Sequence, residues 1–297
     1  MKNEELVKQL TSPSKNSRLE KFGKTITFLC LALIVFIVAM ILLFVAQKGL
    51  ATFFVNKVSL IEFLFSGDWS PSEGKFGALP MILGSFVVTL LSALVATPFA
   101  IGAAIFMTEI SPKGAKFLQP AIELLVGIPS VVYGFFGMVV LVPAFRNIFG
   151  NGNCVFTASI LLGIMILPTI IGVSESAIRA VPDSYYEGSL GLGASHERSV
   201  FFAVLPAAKS GILAGIVLGI GRAIGETMAV VMVAGNQAII PDGMFSGVRT
   251  LTSNIVLEMG YATDLHREAL IATAVVLFVF ILMINLCFAV LKSKEER

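Results

Sequence analysis

Charge is what this chain has least of. Of its 297 residues, 13% are Asp, Glu, Lys or Arg, against 56% hydrophobic, a balance that soluble domains of this length do not reach. The net charge of +2 offers nucleic acid no basic face. Histidine is nearly absent: His196 and His266 stand in separate polar stretches, so no metal site, and no cofactor, is expected. Cys30, Cys154 and Cys287 lie far apart, without disulfide or metal spacing. No GxxxxGK[ST], HExxH or GxSxG occurs, and no strand precedes the GLGAS run at 191–195. No paired nucleophile and base lie in the apolar stretches, so catalytic residues are not expected. The chain therefore carries no energy source of its own.

What it has is long apolar runs. Six of them, at 25–46, 79–108, 117–142, 154–178, 207–234 and 268–291, are each long enough to cross ~30 Å of hydrocarbon. The first is too long for a signal-peptide core and is read as a retained helix. The pattern predicts an all-α membrane protein with six transmembrane helices over 25–291. A polar tail at 1–24 precedes them and another at 292–297 follows. Residues 54–65 suggest a short interfacial helix. Pro80 opens the second run, and Pro98, Pro129 and Pro168 fall inside runs, where proline kinks a helix. Fourteen Lys/Arg lie on the side of the termini and of the 183–206 loop, and six on the other side. The positive-inside rule puts both termini and that loop in the cytoplasm.

The chain is organised around 183–234, a polar stretch that feeds directly into an apolar one. On a helical wheel Gly211, Gly215 and Gly219 share a face with Arg222 and Glu226. Small residues at every fourth position let another backbone approach. Arg222 and Glu226, one turn apart, are placed to form an intrahelical ion pair. Arg222 lies roughly 24 Å along the helix from Pro206, deep in the bilayer, where an ionisable group faces protein or water. Two readings stay open: a residue lining a path, or an ion pair that holds helices together. Glu123 and Ser130, beside Pro129 in the third run, are further path candidates, though Glu123 lies near the start of that run. Glu175 and Arg179 form an i,i+4 pair read as tying the fourth helix to the 183–206 loop. Thr250, Thr252, Ser253 and Asn254 make a hydroxyl-rich stretch in an outer loop. They are read either as an outer gate or partner contact, or as a solvated loop with a capping residue.

The 183–206 stretch resembles the signature of bacterial ABC importer permeases: EAA, three residues, Gly, nine residues, I-x-LP. Glu187-Gly188-Ser189 stands for EAA, Gly193 follows at the right spacing, and Leu205-Pro206 closes the motif. Gly188 and Ser189 replace the two alanines and Ala203 replaces isoleucine. The resemblance implies a type I importer architecture, with its core at about 79–291. It also implies a helix-turn-helix, with Glu187, Gly193, Leu205 and Pro206 docking on an ATPase. Gly193 suits the sharp turn and Pro206 marks the end of the docking element.

The runs at 123–137, 221–230 and 267–286, with FSGDWSP at 65–71, are similar to phosphate permeases of the PstC type. That likeness implies a PstA-type second permease, an ATPase dimer and an extracytoplasmic phosphate-binding protein, in a bacterial cell membrane. Arg222 then becomes the residue that meets the phosphate dianion, with Glu226 holding it in place and limiting its grip. Alternatives are a permease for sulfate or molybdate, a stand-alone ion-coupled carrier, which would leave the EAA-type loop unexplained, and an intramembrane enzyme, which would lack its reactive groups.

Overall fold

The computed structural model of the chain describes residues 15–295. These fall into two units that meet at Lys48–Gly49. The first is the leading part of helix α1 (Lys15–Phe54). Apolar side chains from Ile26 to Phe44 are exposed, and a helix that is hydrophobic all round without a buried face belongs in a membrane or against another protein. Positions 1–14 of the expected polar tail lie outside the described residues; 15–24 are helical.

The second unit begins with the last turns of α1. Lys57, at a φ of 57°, separates them from α2 (Leu60–Phe65), whose first turn is capped by the Ser59 hydroxyl. The interfacial helix expected over 54–65 is thus confined to its second half. An antiparallel pair follows, β1 (Trp69–Ser70) with β2 (Lys75–Phe76), closed by a 3-10 turn at Pro71–Glu73. On its exposed edge the hydrogen bond from Lys75 holds the Glu73 carboxyl below its usual range.

The remaining elements are helices: α3 (Leu79–Ile110), α4 (Pro112–Gly127), α5 (Ser130–Phe149), α6 (Val155–Arg179), α7 (Asp183–Gly191), α8 (His196–Gly225), α9 (Met228–Val233), α10 (Leu251–Glu258) and α11 (Asp264–Glu295). Among the described residues six helices, α1, α3, α5, α6, α8 and α11, are long and apolar enough to cross a membrane. α6 is the central post. Leu161, Leu162, Met165, Ile166 and Ile170 are almost wholly buried, and α6 packs between α3 and α8.

The third span is displaced from its expected place at 117–142. Pro129 disfavours the helical conformation at the residue before it, and Ile128 is extended, with ψ 124°. The chain therefore breaks there. Residues 112–127 become a separate amphipathic helix, α4, and the span itself starts at Ser130. Tyr133 bridges the break by donating its hydroxyl hydrogen to the Leu125 carbonyl at 2.8 Å. At the other terminus α11 continues through Glu295, into the stretch expected to be a tail.

Three spans contain a wide π turn, at Phe106–Ile110, Gly137–Leu141 and Val200–Val204. Each is followed two residues later by a proline: Pro112, Pro143 and Pro206. Pro112 opens the next helix after the extended Ser111, but Pro143 and Pro206 lie within their helices, where a proline has no N–H for the carbonyl four residues back and its ring crowds that carbonyl. Bonds that skip five residues, such as Leu205 N–H to Val200 O, widen the turn before it. In α8 the result is continuity. The helix runs without a stop from His196 to Gly225, so Pro206 does not end the preceding element; the wide turn absorbs it.

Candidate functional site

The glycine stripe of α8 does what its spacing suggests. A Cβ on Gly219 would stand 2.6 Å from Ile170 Cγ1, and one on Gly215 would stand 3.3 Å from the Ile170 carbonyl oxygen. A Cβ on Gly211 would collide with Ala177. α8 therefore lies against α6 at a distance only glycine permits. On the same face Arg222, half-buried, donates from Nη1 to the Thr169 hydroxyl at 3.1 Å. Thr169 sits near the middle of α6, which fixes the depth of the guanidinium at mid-span.

The expected ion pair between Arg222 and Glu226 is absent, because the two do not share a helix. α8 ends at Gly225, and Glu226 is extended at φ −71°, ψ 131°. Its carboxylate turns to the next helix instead. Oε1 accepts from the backbone N–H groups of Thr227 at 3.2 Å and Ala229 at 3.3 Å, capping α9. The Glu226 carbonyl accepts from the Thr252 hydroxyl at 3.0 Å, and the Thr227 hydroxyl donates to the Gly225 carbonyl. Broken backbone inside a span is sustained only where protein supplies such partners or where it lines a cavity. Arg222 is thus left with a neutral partner and no carboxylate partner among the described residues.

The other path candidates separate. Ser130 opens α5, whose Gly134 backbone abuts Ala229 and Met232 of α9, so α5 walls the segment after the break. Glu123 lies elsewhere. It is exposed on α4, accepting from Gln119 at 3.1 Å, and no bond joins it to Arg222, Glu226 or Ser130 among the described residues. Its helix turns Leu118, Ile122 and Leu125 to the core and Glu123 away.

The hydroxyl-rich stretch is neither a loop nor solvated. Thr250 caps α10 by accepting from the Ser253 N–H. Thr250, Thr252, Ser253 and Asn254 are all buried, which removes them from any exposed docking surface on this chain, and Thr252 reaches the break at Glu226. The neighbouring Leu251 N–H donates to the Ser85 hydroxyl of α3 at 2.9 Å.

At the opposite end of α6 the 183–206 stretch forms the expected helix-turn-helix. Gly193, at a φ of +86°, makes the turn between α7 and α8, a conformation that side chains resist. Leu192 at the tip is 92% exposed, and Glu187 is exposed on α7. Leu205 and Pro206 follow the wide turn of α8. Glu175 and Arg179 pair at 3.0 Å within α6. Val200 and Val204 pack with Ala104, Ile105 and Ile178, and a polar tie between hairpin and bundle comes from a residue to which the sequence alone assigned no role. His196 Nε2 lies 3.1 Å from the Glu109 carbonyl and its Nδ1 lies 2.8 Å from the Tyr186 hydroxyl. A carbonyl only accepts, so Nε2 carries the hydrogen and Nδ1 accepts from Tyr186. The clamp joins α7, α8 and the end of α3.

Residues 96–295 match the family model described as binding-protein-dependent transport system inner membrane component. The probable ABC transporter permease protein YqgH of Bacillus subtilis is 42% identical, with 99% of this chain and 98% of that protein aligned. The phosphate transport system permease protein PstC of Pasteurella multocida is 35% identical over 73% of this chain and 75% of its own length. Among solved structures, a bacterial ABC transporter for the acidic polysaccharide alginate superposes with a TM-score of 0.60 at 18% identity. That match covers 92% of this chain and 98% of the other. The inward-facing MetNI methionine ABC transporter gives 0.58 at 18% identity, over 72% and 94%. At such identities the structural likeness shows the fold alone.

Proposed function

This chain belongs to the family of binding-protein-dependent transport system inner membrane components, and on that premise we propose that it carries inorganic phosphate as one of two permeases of an ATP-driven importer. The family makes it a multi-pass protein of the bacterial inner membrane and a transport permease of the ABC importer class, not an enzyme. The phosphate reading rests on its likeness to phosphate permeases and on one observation in the chain itself: the mid-span Arg222 has a hydroxyl as its partner and no carboxylate among the described residues. A guanidinium with unspent donors and an uncompensated charge is suited to a dianion that must shed water. The neutral Thr169 orients it without neutralising it. Glu226, engaged with α9, shapes the break beside it and does not restrain the arginine directly.

Both termini and the 183–206 hairpin face the cytoplasm in this reading, where the hairpin receives an ATPase dimer through Glu187, Gly193, Leu205 and Pro206. An extracytoplasmic phosphate-binding protein delivers from the other side, and a PstA-type permease supplies the other half of the path. Force on the hairpin passes along α8, which is unbroken from His196 to Gly225 and keyed into α6 by its glycines. It reaches Arg222 and stops at the break that follows. The transmitted motion therefore ends where the charge is.

The test is ATP-dependent uptake of labelled phosphate by the assembled complex in vesicles. Arg222→Ala is expected to abolish uptake while assembly and ATP hydrolysis persist; unchanged uptake would reduce the arginine to a packing residue. Competition by sulfate and molybdate separates phosphate from its neighbours. Uptake without ATP dependence would return the stand-alone carrier.

A further inference from the structure

At the end of the bundle opposite the hairpin, three distant stretches of chain converge on one buried carboxylate. Glu258, at the C-terminal end of α10, has a side chain 8% exposed. Its Oε1 accepts from Arg249 Nη1 at 2.6 Å. Its Oε2 accepts from Trp69 Nε1 at 2.9 Å and His266 Nε2 at 2.8 Å. Trp69 belongs to the β-pair before α3, Arg249 to the segment after α9, and His266 to the first turn of α11. The rings of Trp69, Phe76 and Tyr261 pack around His266 at centroid distances of 5.9–6.5 Å. Both oxygens of this enclosed carboxylate are thus engaged, one of them by the adjacent guanidinium.

Arg249 is the second half of the device. Besides Glu258 it grips the Asn236 carbonyl through Nε at 2.9 Å and Asn254 Oδ1 through Nη1 at 3.0 Å. Its own carbonyl presses on Gly84 of α3, where a Cβ would stand 2.6 Å away. Asn236 follows α9, and Asn254 lies in α10. One side chain thus spans both ends of the connection between the two helices. Two residues before Asn254, Thr252 reaches the Glu226 carbonyl at the break.

We infer that Glu258 is a positioning residue for transport: the pin that holds α10 over the break at 225–227 and keeps that end of the path shut. With Glu258 in place, the β-pair, the 249–258 stretch and the start of α11 move as one body. Opening then requires that body to swing as a whole or Arg249 to let go. The inference rests on the transport reading only in calling the closure a gate; the closure itself is read without phosphate.

The experiment uses the assembled complex in nanodiscs, where both faces are open to reagent. Cys30, Cys154 and Cys287 are replaced by alanine, and Thr252→Cys reports access to the break. With Glu258 intact, a hydrophilic maleimide is expected to label Thr252→Cys poorly. Adding Glu258→Gln is expected to raise the labelling rate tenfold or more. Trp69→Phe removes one donor and keeps the ring, so it is expected to raise the rate a few-fold and carries the test if the glutamine variant fails to assemble. Labelling unchanged by both substitutions overturns the inference, whether or not the complex transports phosphate.

Discussion

The guanidinium of Arg222 and the hydroxyl of Thr169 meet at 3.1 Å across the glycine-keyed interface of α8 and α6. A hydrogen bond from a charged group to a neutral one is worth about 1.5–3 kcal/mol, enough to hold the long side chain in one direction. Thr169→Val, which keeps the shape and removes the acceptor, is expected to lower phosphate uptake several-fold and to lower thermal stability by no more than the loss of that one bond. Initial-rate uptake beside a melting curve of the complex checks both.

Glu226 gives a second prediction. As the cap of α9 it needs an acceptor oxygen and not a charge, and glutamine supplies one. Glu226→Gln is therefore expected to be nearly neutral in stability, whereas Glu226→Ala removes a cap worth about 1 kcal/mol and lowers the melting temperature. Equal losses in the two variants would show that the negative charge itself matters.

The α6–α8 interface is tested by a pair of alanines. Gly219→Ala places a methyl group 2.6 Å from Ile170 Cγ1, an overpacking that costs about 1–3 kcal/mol. Gly221→Ala, two residues on, meets nothing within 4 Å and gains up to about 1 kcal/mol of helix propensity. Melting temperatures that move in opposite directions are the expected outcome.

The clamp at His196 predicts a defect in coupling, not in assembly. Tyr186→Phe removes one hydroxyl hydrogen bond, and His196→Ala also frees the Glu109 carbonyl. Both variants are expected to keep ATP hydrolysis and to transport less phosphate per ATP, His196→Ala the more severely. The ratio of the two rates in vesicles measures this directly.

What the chain reveals in its order of residues is what depends on near neighbours. The glycine stripe and the turn at Gly193 are local properties, and each stands where its spacing places it, whereas the third and fifth spans run over 130–149 and 196–225 instead of 117–142 and 207–234. The break at Glu226 is not legible. Residues 221–230 continue a helical pattern, and the partner that sustains the broken backbone, Thr252, lies 26 positions away. The ion pair expected of Arg222 and Glu226 fails for the same reason. Trp69 and Glu258, separated by 189 positions, leave no periodic trace at all. The third span is a different matter: Ile128 before Pro129 already carried the signal for a stop, and the apolar composition on either side concealed it.

The wide turn at 200–204 makes α8 behave like a key whose bow and blade were cut separately. One extra residue in a turn advances every later side chain by about 100° around the axis. Removing one residue from 200–204 would keep the glycine stripe and Arg222 in place but carry His196 away from the Glu109 carbonyl. It would also rotate the exposed Leu192 tip by more than a quarter circle relative to α6. The facing of the hairpin and the depth of Arg222 are thus set by separate stretches of one helix, and the wide turn is what joins them in register.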